Sequence, residues 1–500
     1  MKVEQPASIT GRLIRGTGWN LAWRILSRSI GFVSMLILAQ LLMPSDIGIV
    51  ALATSISMSI DAISQFGVRD ALVRLKDHRK ELYDTAFTIQ FGRGVLTAAL
   101  LVALGAFSTD WLGDPRVGPV LFVLALAAVI GGAENIGMVS ITRDLNFRIQ
   151  FFMQLGPRLL GFLVTIALAI IFRSYWALVG GAFVTKISNV GMTYIASPHR
   201  PRLSLSGWRY LLSFSLWTWL GSIAVAIWTR SDPFLIGPYV GAAMLGIYML
   251  SAEIAMLPIS ELLEPVCATL FPGFAMAQRQ GGAPTQMGLT VAAILAFGTI
   301  PFALALSATS GYVVAGLLGH KWDACQPVIA ILTWVCVFSP FSYVSPLALS
   351  VEGRVRQAAV AQGLAALIKV MALVYVRETH DLRVVAEAIV AAFALESAIF
   401  IFQLRKAGAG ELRRVAMTTA RTVLATAICA ALLRYVPGTW SVVTLGRIAS
   451  LLWGGMIGVM TFVIFPAVLA GLWFISGRPL GPESRAVEIF QERVVRPLFG

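Results

Sequence analysis

Fourteen apolar segments run through this chain, near residues 19–43, 46–67, 85–107, 117–140, 150–172, 175–196, 211–230, 240–266, 286–309, 324–350, 357–376, 383–403, 416–435 and 447–475. A helix needs roughly 20 apolar residues to cross a bilayer, so fourteen of them take up roughly 280 positions. That is a little over half of the 500 residues and matches a composition that is 57% hydrophobic and 13% charged. What is left suffices for short loops and two tails, not for a separate soluble domain. A soluble enzyme, a secreted disulfide scaffold and a disordered chain are excluded. The fold class is an all-α polytopic membrane protein.

Lys and Arg total 39 against 25 Asp and Glu, a net charge of +14. In a chain this apolar the excess belongs to the positive-inside rule, not to a nucleic-acid partner. With the amino terminus inside, the inner segments carry 24 Lys and Arg and the outer loops eight, with seven in spans. The inner clusters are Arg69, Arg74, Lys76, Arg79 and Lys80, then Arg200, Arg202 and Arg209, then Arg405, Lys406, Arg413 and Arg414. An even number of spans puts both termini in the cytoplasm. The run Ser29–Met43 lacks a small-x-small cleavage site and reads as an uncleaved first helix.

The outer loops are short and offer no domain that could shape a catalytic cleft. Cys267, Cys325, Cys336 and Cys429 show no paired spacing, so no disulfide, zinc or iron–sulfur site is expected. The four histidines are dispersed in loops, and no phosphate loop, H-E-x-x-H or G-x-S-x-G occurs. The chain reads as a non-enzyme without cofactor or metal. Its carboxyl-terminal tail alternates charge with Val487, Ile489, Phe490, Val494 and Val495, as a short helix on the inner membrane surface would.

An internal repeat sets the organisation. Ile47–Ala53 reads IGIVALA and Leu245–Ser251 reads LGIYMLS, 198 residues later. Six helices separate the two, so the halves enter the membrane in the same orientation, with a substrate path between them. The expected arrangement is a cytoplasmic tail (1–16), a first six-helix lobe (17–200), a second (201–404), two additional C-terminal helices (405–476) and a cytoplasmic tail (477–500).

A charge at the bilayer centre costs roughly 2.5–3.5 kcal/mol on insertion scales, so in-span cations need a reason. Asn20, Arg24, Ser27, Gly31 and Ser34 form a stripe on the first helix, with Arg28 adjacent. Thr54, Ser57, Asp61 and Ser64 do the same on the second, Gln154 and Arg158 on the fifth, Lys186, Asn189 and Thr193 on the sixth. Such stripes face protein or water. Together Arg24, Arg28, Arg93, Arg158 and Lys186 outnumber Asp61 and Glu134 by three. A cationic cavity for an anionic head group follows, with Lys369 its second-half counterpart. Snorkelling of Arg24 and Arg28 to head groups, or pairing of Arg93 or Lys186 with Asp61 or Glu134, is the structural alternative. The second half carries Glu253 and Glu396, which join Asp61 and Glu134 as ion-coupling candidates. Trp217, Trp219 and Trp228 are placed to stack on sugars or to sit at the interface.

Several stretches resemble one transporter family. Leu38–Gly48 (LAQLLMPSDIG), Ser64–Val68 (SQFGV) with Val73–Lys76 (VRLK), Arg143–Phe147 (RDLNF), Thr269–Ala275 (TLFPGFA) and Leu317–Asp323 (LLGHKWD) carry it. In this order they are similar to the Wzx/WzxC polysaccharide-type flippases of the multidrug/oligosaccharidyl-lipid/polysaccharide superfamily, over about Gly11 to Leu404. The resemblance implies alternating access and an undecaprenyl-diphosphate-linked oligosaccharide as substrate, moved across the bacterial cytoplasmic membrane for exopolysaccharide or lipopolysaccharide synthesis. It further implies contact with membrane lipids, a coupling ion (Na+ or H+) and other polysaccharide assembly proteins. A multidrug exporter of the same superfamily, with an acid-lined cavity, and a membrane polymerase or glycosyltransferase are the competing readings.

Overall fold

The computed structural model describes residues 9–64, 72, 80–108, 114–143, 147–206, 208, 216–404, 409–436 and 446–477. Arg69, Arg74, Lys76, Arg79, Arg209, Arg405, Lys406 and tail residues 478–500 lie outside them, as do the side chains of Asn20, Trp217 and Arg414. Helix occupies all fourteen expected segments, and no strand occurs among the described residues. Eleven helices are long and apolar enough to cross a membrane, twelve with a pair bent by 46° taken as one. Trp176–Ala196 is not among the twelve, while Ile259–Arg279, which runs past the expected segment 240–266, is an additional one. Two further differences from fourteen are visible. Leu216–Ala255 runs as one helix through a break at Gly241 (φ 79°, ψ 164°), which separates two expected spans. Val117–Gly132 has only 16 residues. The first helix also starts earlier than expected, at Ile9.

The chain divides into two compact units, Met1–Gly246 and Ile247–Gly500. The first contains α1 (Ile9–Leu41), α2 (Pro44–Ile63), α3 (Lys80–Ala106), α4 (Val117–Gly132), α5 (Phe147–Phe172), α6 (Trp176–Ala196) and most of α7 (Leu216–Ala255). Small residues let its helices touch at the backbone. In α5 and α6, Gly161-x-x-x-Thr165 faces Gly181-x-x-x-Thr185. Each threonine hydroxyl donates to its own helix's glycine carbonyl at 2.7 Å. A methyl on either glycine would overlap the threonine Oγ1 of the other helix.

The repeated heptad has a physical meaning in this unit. A Cβ at Gly48 would strike the carbonyl of Ala242, four residues before Gly246. One at Gly246 would strike the carbonyl of Pro44, four residues before Gly48. The contact is unchanged when the two segments are exchanged, as a local two-fold axis requires.

The family-like motif around Pro44 is a turn and packing device. Asp46 is buried; its Oδ2 accepts the Met43 N–H at 3.0 Å, capping α2. Its Oδ1 accepts the Tyr175 N–H at 3.3 Å and so ties the α1–α2 turn to the α5–α6 turn. Asp46→Ala removes both acceptors and is expected to destabilise by about 1–3 kcal/mol. A lowered thermal midpoint, partly restored by Asp46→Asn, checks this.

At the opposite end, residues 197–206 leave α6 as an extended strap held against α3. Asp84 Oδ1 accepts the Arg202 N–H at 3.0 Å, and Thr88 Oγ1 accepts the Ser204 N–H at 2.8 Å. The buried Asn135 amide donates to the His199 carbonyl at 2.8 Å. His199 Nε2 lies 3.4 Å from Asp84 Oδ1. Burial holds the imidazole below its usual 6.5; Asp84 opposes this, and Lys80 and Arg200 reinforce it. The folded chain therefore resists a proton that the unfolded chain accepts. The stability conferred by the neutral ring is complete above pH 6.5 and is lost as pH falls from there towards the lowered value. Unfolding midpoints measured across that range should fall with acid in the wild type and fall less in His199→Gln.

The second unit holds the end of α7, a π turn at Ile259–Leu263, α8 (Glu264–Arg279), α9 (Pro284–Val313), α10 (Cys325–Leu332), α11 (Val335–Val351), α12 (Val355–Val376), α13 (Leu382–Gln403), α14 (Ala409–Leu433) and α15 (Arg447–Ile475). Prolines free carbonyls here, and hydroxyls from neighbouring helices take them up. Pro340 has no N–H to offer the Cys336 carbonyl, which accepts from Thr299 Oγ1 at 2.8 Å instead. The Ala330 carbonyl, next to the α10–α11 bend, accepts from Ser307 Oγ at 2.8 Å. The Glu352–Arg354 turn staples three helix ends: Glu352 Oε1 accepts the Thr285 N–H at 2.9 Å, and Arg354 Nη2 donates to the Gln403 carbonyl at 2.9 Å.

Candidate functional site

The polar stripe on α2 faces a cavity inside the first unit. Thr54, Ser57 and Asp61 line it with Arg93 of α3 and Lys186 of α6, and α4 supplies an apolar wall. The volume is about 210 Å³, room for roughly seven waters at ~30 Å³ each. Glycine builds it. Gly94 lets α3 meet the carbonyl of Ala128 and the backbone of Gly132 on α4. Gly131 leaves space for Lys186, whose Cε and Nζ lie where a β-carbon would intrude.

The lining is net cationic, with Arg93 and Lys186 against Asp61. Asp61 Oδ1 accepts a long bond, 3.5 Å, from Thr97 Oγ1. Among the described residues neither Arg93 nor Lys186 forms an ion pair within 4.0 Å. Pairing with Asp61 or Glu134, the structural alternative for these two cations, is therefore not what the structure holds. Two half-buried cations with no ion pair within 4.0 Å among the described residues thus share this cavity with Asp61 and two hydroxyls.

The other sequence candidates fall elsewhere. Arg24 is exposed and Arg28 half-buried on α1. Arg158 is exposed on α5 and reaches across to α1, its Nη2 3.4 Å from the Ser27 carbonyl. These three make a second cationic group outside the residues that line the cavity. Glu134 follows α4, where its backbone carbonyl accepts from Gln90 Nε2 at 2.9 Å. Glu253 is exposed on α7, while Lys369 and Glu396 are buried in the second unit. Trp219 donates its indole N–H to the Ile63 carbonyl at 3.2 Å, and Trp228 is buried, so both serve packing. Two cavities in the second unit are apolar with one carboxylate each, Glu387 and Glu261. Sequence reasoning missed Gly131, Thr97 and the buried Gln362 beside Glu396. Gln362 had a faint signal, lying seven residues before Lys369 and so on the same helical face.

Comparisons with known proteins agree with this architecture. The profile of a family described as "Polysaccharide biosynthesis protein" matches residues 37–327. The chain is 24% identical over 324 residues to the succinoglycan biosynthesis transport protein ExoT of Rhizobium meliloti (strain 1021), covering 63% of this chain and 65% of ExoT. It is 22% identical over 338 residues to the lipopolysaccharide biosynthesis protein WzxC of Escherichia coli (strain K12), covering 65% of this chain and 67% of WzxC. The match thus spans about two thirds of these relatives' length. The fold is similar to the inward closed conformation of the lipid II flippase MurJ, with TM-score 0.71 and 13% identity, covering 91% of this chain and 98% of that one.

Proposed function

This chain belongs to the polysaccharide biosynthesis protein family, and from that premise we propose that it flips an undecaprenyl-diphosphate-linked oligosaccharide across the bacterial cytoplasmic membrane. The observation that carries the reading is the cavity of the first unit, where Arg93 and Lys186 form no ion pair within 4.0 Å among the described residues. A diphosphate supplies the missing negative charge. Each charge-assisted contact contributes roughly 1.5–3 kcal/mol. Ser57 adds a hydroxyl donor to the remaining phosphate oxygens, whereas the Thr54 hydroxyl donates to the Val50 carbonyl at 2.6 Å. ExoT is named a transport protein and MurJ a flippase, which supports transport over catalysis. The sign of the cavity argues against export of cationic drugs.

The cycle is alternating access. The amino and carboxyl termini lie in the cytoplasm, where the basic loops collect. Arg24, Arg28 and Arg158 gather the head group, the cavity holds its diphosphate, and the lipid tail stays in the bilayer. Na+ or H+, bound at one of the in-membrane acids Asp61, Glu134, Glu253 and Glu396, drives the return. Other polysaccharide assembly proteins supply and consume the repeat.

Deletion of the gene, followed by mass spectrometry of inner-membrane lipids and assay of surface polysaccharide, tests the assignment. Accumulated diphosphate-linked repeats with lost surface polymer are expected. Unchanged lipids with raised sensitivity to cationic drugs would replace it with the exporter.

A further inference from the structure

We propose that Glu396 is the proton-binding site of this transporter, a carboxylate in the second unit that takes up one proton from water and later releases it. The proposal deepens, and rests on, the ion-coupled flippase reading. Its basis is a polar knot where α11, α12 and α13 meet, each member at most 7% exposed: Ser342, Gln362, Lys369, Glu396 and Ser397. Glu396 Oε1 accepts from Gln362 Nε2 at 2.9 Å. Ser342 Oγ lies 3.1 Å from Ser397 Oγ, which itself donates to the Phe338 carbonyl at 2.8 Å. Glu396 Oε2 is fully buried and has no hydrogen-bond partner among the described residues.

A carboxylate oxygen left bare inside protein is rare and costly. Protonation at Oε2 forms an O–H bond and removes the charge whose burial is unfavourable. The ionised form is sustained by the Gln362 amide, then by the Ser342 hydroxyl of α11 and by Lys369 of α12. Tyr343 of α11, Cys336, Cys267 and Glu264 are the other titratable groups that interact electrostatically in this region. The knot thus has two states: an ionised carboxylate in the field of Lys369, and a neutral acid. Switching between them changes how α12 and α13 are held. A sodium ion suits the site less well. It needs a shell of oxygen ligands, whereas Gln362 presents its N–H and Lys369 already supplies a fixed positive charge. Asp61, Glu134 and Glu253 are half-buried or exposed, so water can stabilise their charge without a proton.

Infrared difference spectra of the purified full chain in lipid nanodiscs, between neutral and acidic pH, read the carboxyl directly and need no substrate. The expected result is a protonated-carboxyl band gained on acidification, absent in Glu396→Gln and retained in Lys369→Gln. Glu396→Asp, which keeps the acid, should displace the band and serves if the glutamine variant does not fold. A band unaffected by either change at residue 396 overturns the proposal. So does a thermal midpoint raised by NaCl over choline chloride in the wild type but not in Glu396→Gln. A chain that flips its substrate while the band ignores residue 396 defeats this proposal alone and leaves the flippase reading intact.

Discussion

The double variant Arg93→Ala, Lys186→Ala is expected to lose transport by roughly 10²–10⁴-fold while reaching the membrane in normal amounts. Two charge-assisted phosphate contacts of roughly 1.5–3 kcal/mol each set the range, at 1.4 kcal/mol per factor of ten. The effect on stability should have the opposite sign. A charge within the bilayer carries a cost of about 2.5–3.5 kcal/mol on insertion scales, so removal of these half-buried cations leaves the fold as stable as before or more so. If the two side chains served only to hold helices together, stability and transport would fall in parallel. Restoration of surface polysaccharide in a deletion strain, read beside the thermal midpoint, separates the two cases. Gly131→Ala offers an independent check. Its methyl group would displace the Lys186 side chain without removing the charge, and transport should fall between wild type and the double variant.

The second large effect is expected at Gly48 and Gly246. Valine at either position would meet backbone atoms of the facing segment, not the end of a movable side chain. Overpacking costs typically 1–3 kcal/mol even where side chains can adjust, and here relief requires a helix to move. Each variant should reduce recovered folded protein severalfold in fluorescence-detected size exclusion. The two should behave alike, because each glycine's neighbour is the counterpart of the other's. Gly92→Ala is the control: nothing lies within 4 Å of a β-carbon there, and alanine favours helix over glycine. Normal yield from Gly48→Val would mean that the heptad repeat has no packing role.

These effects show how far a linear reading reaches in a membrane protein. Segment positions were legible because hydrocarbon demands long apolar runs, and all fourteen segments are helical. The repeat was legible as seven weakly matched residues; its reason, two glycines in mutual contact, needed coordinates. Of the α2 stripe, Thr54, Ser57 and Asp61 line one cavity, whereas Ser64 is not among the lining residues. Its partners were not separable in advance. Arg93 and Lys186 join it, whereas Arg24, Arg28 and Arg158 gather on α1 and α5. Helical spacing fixes which residues share a face, but only packing against other helices decides what that face meets. The same limit hid the setting of Glu396, whose partners come from two other helices.

Flipping itself is the central claim, and vesicles test it most directly. The purified chain would be reconstituted with an undecaprenyl-diphosphate-linked oligosaccharide, and a membrane-impermeant glycosidase added outside. Protein-free vesicles surrender only their outer-leaflet pool. With the wild-type chain the inner pool should be digested as well, and with the Arg93→Ala, Lys186→Ala variant it should stay protected. An inner pool that remains protected in the presence of folded wild-type protein, with and without an imposed proton or sodium gradient, would contradict the account.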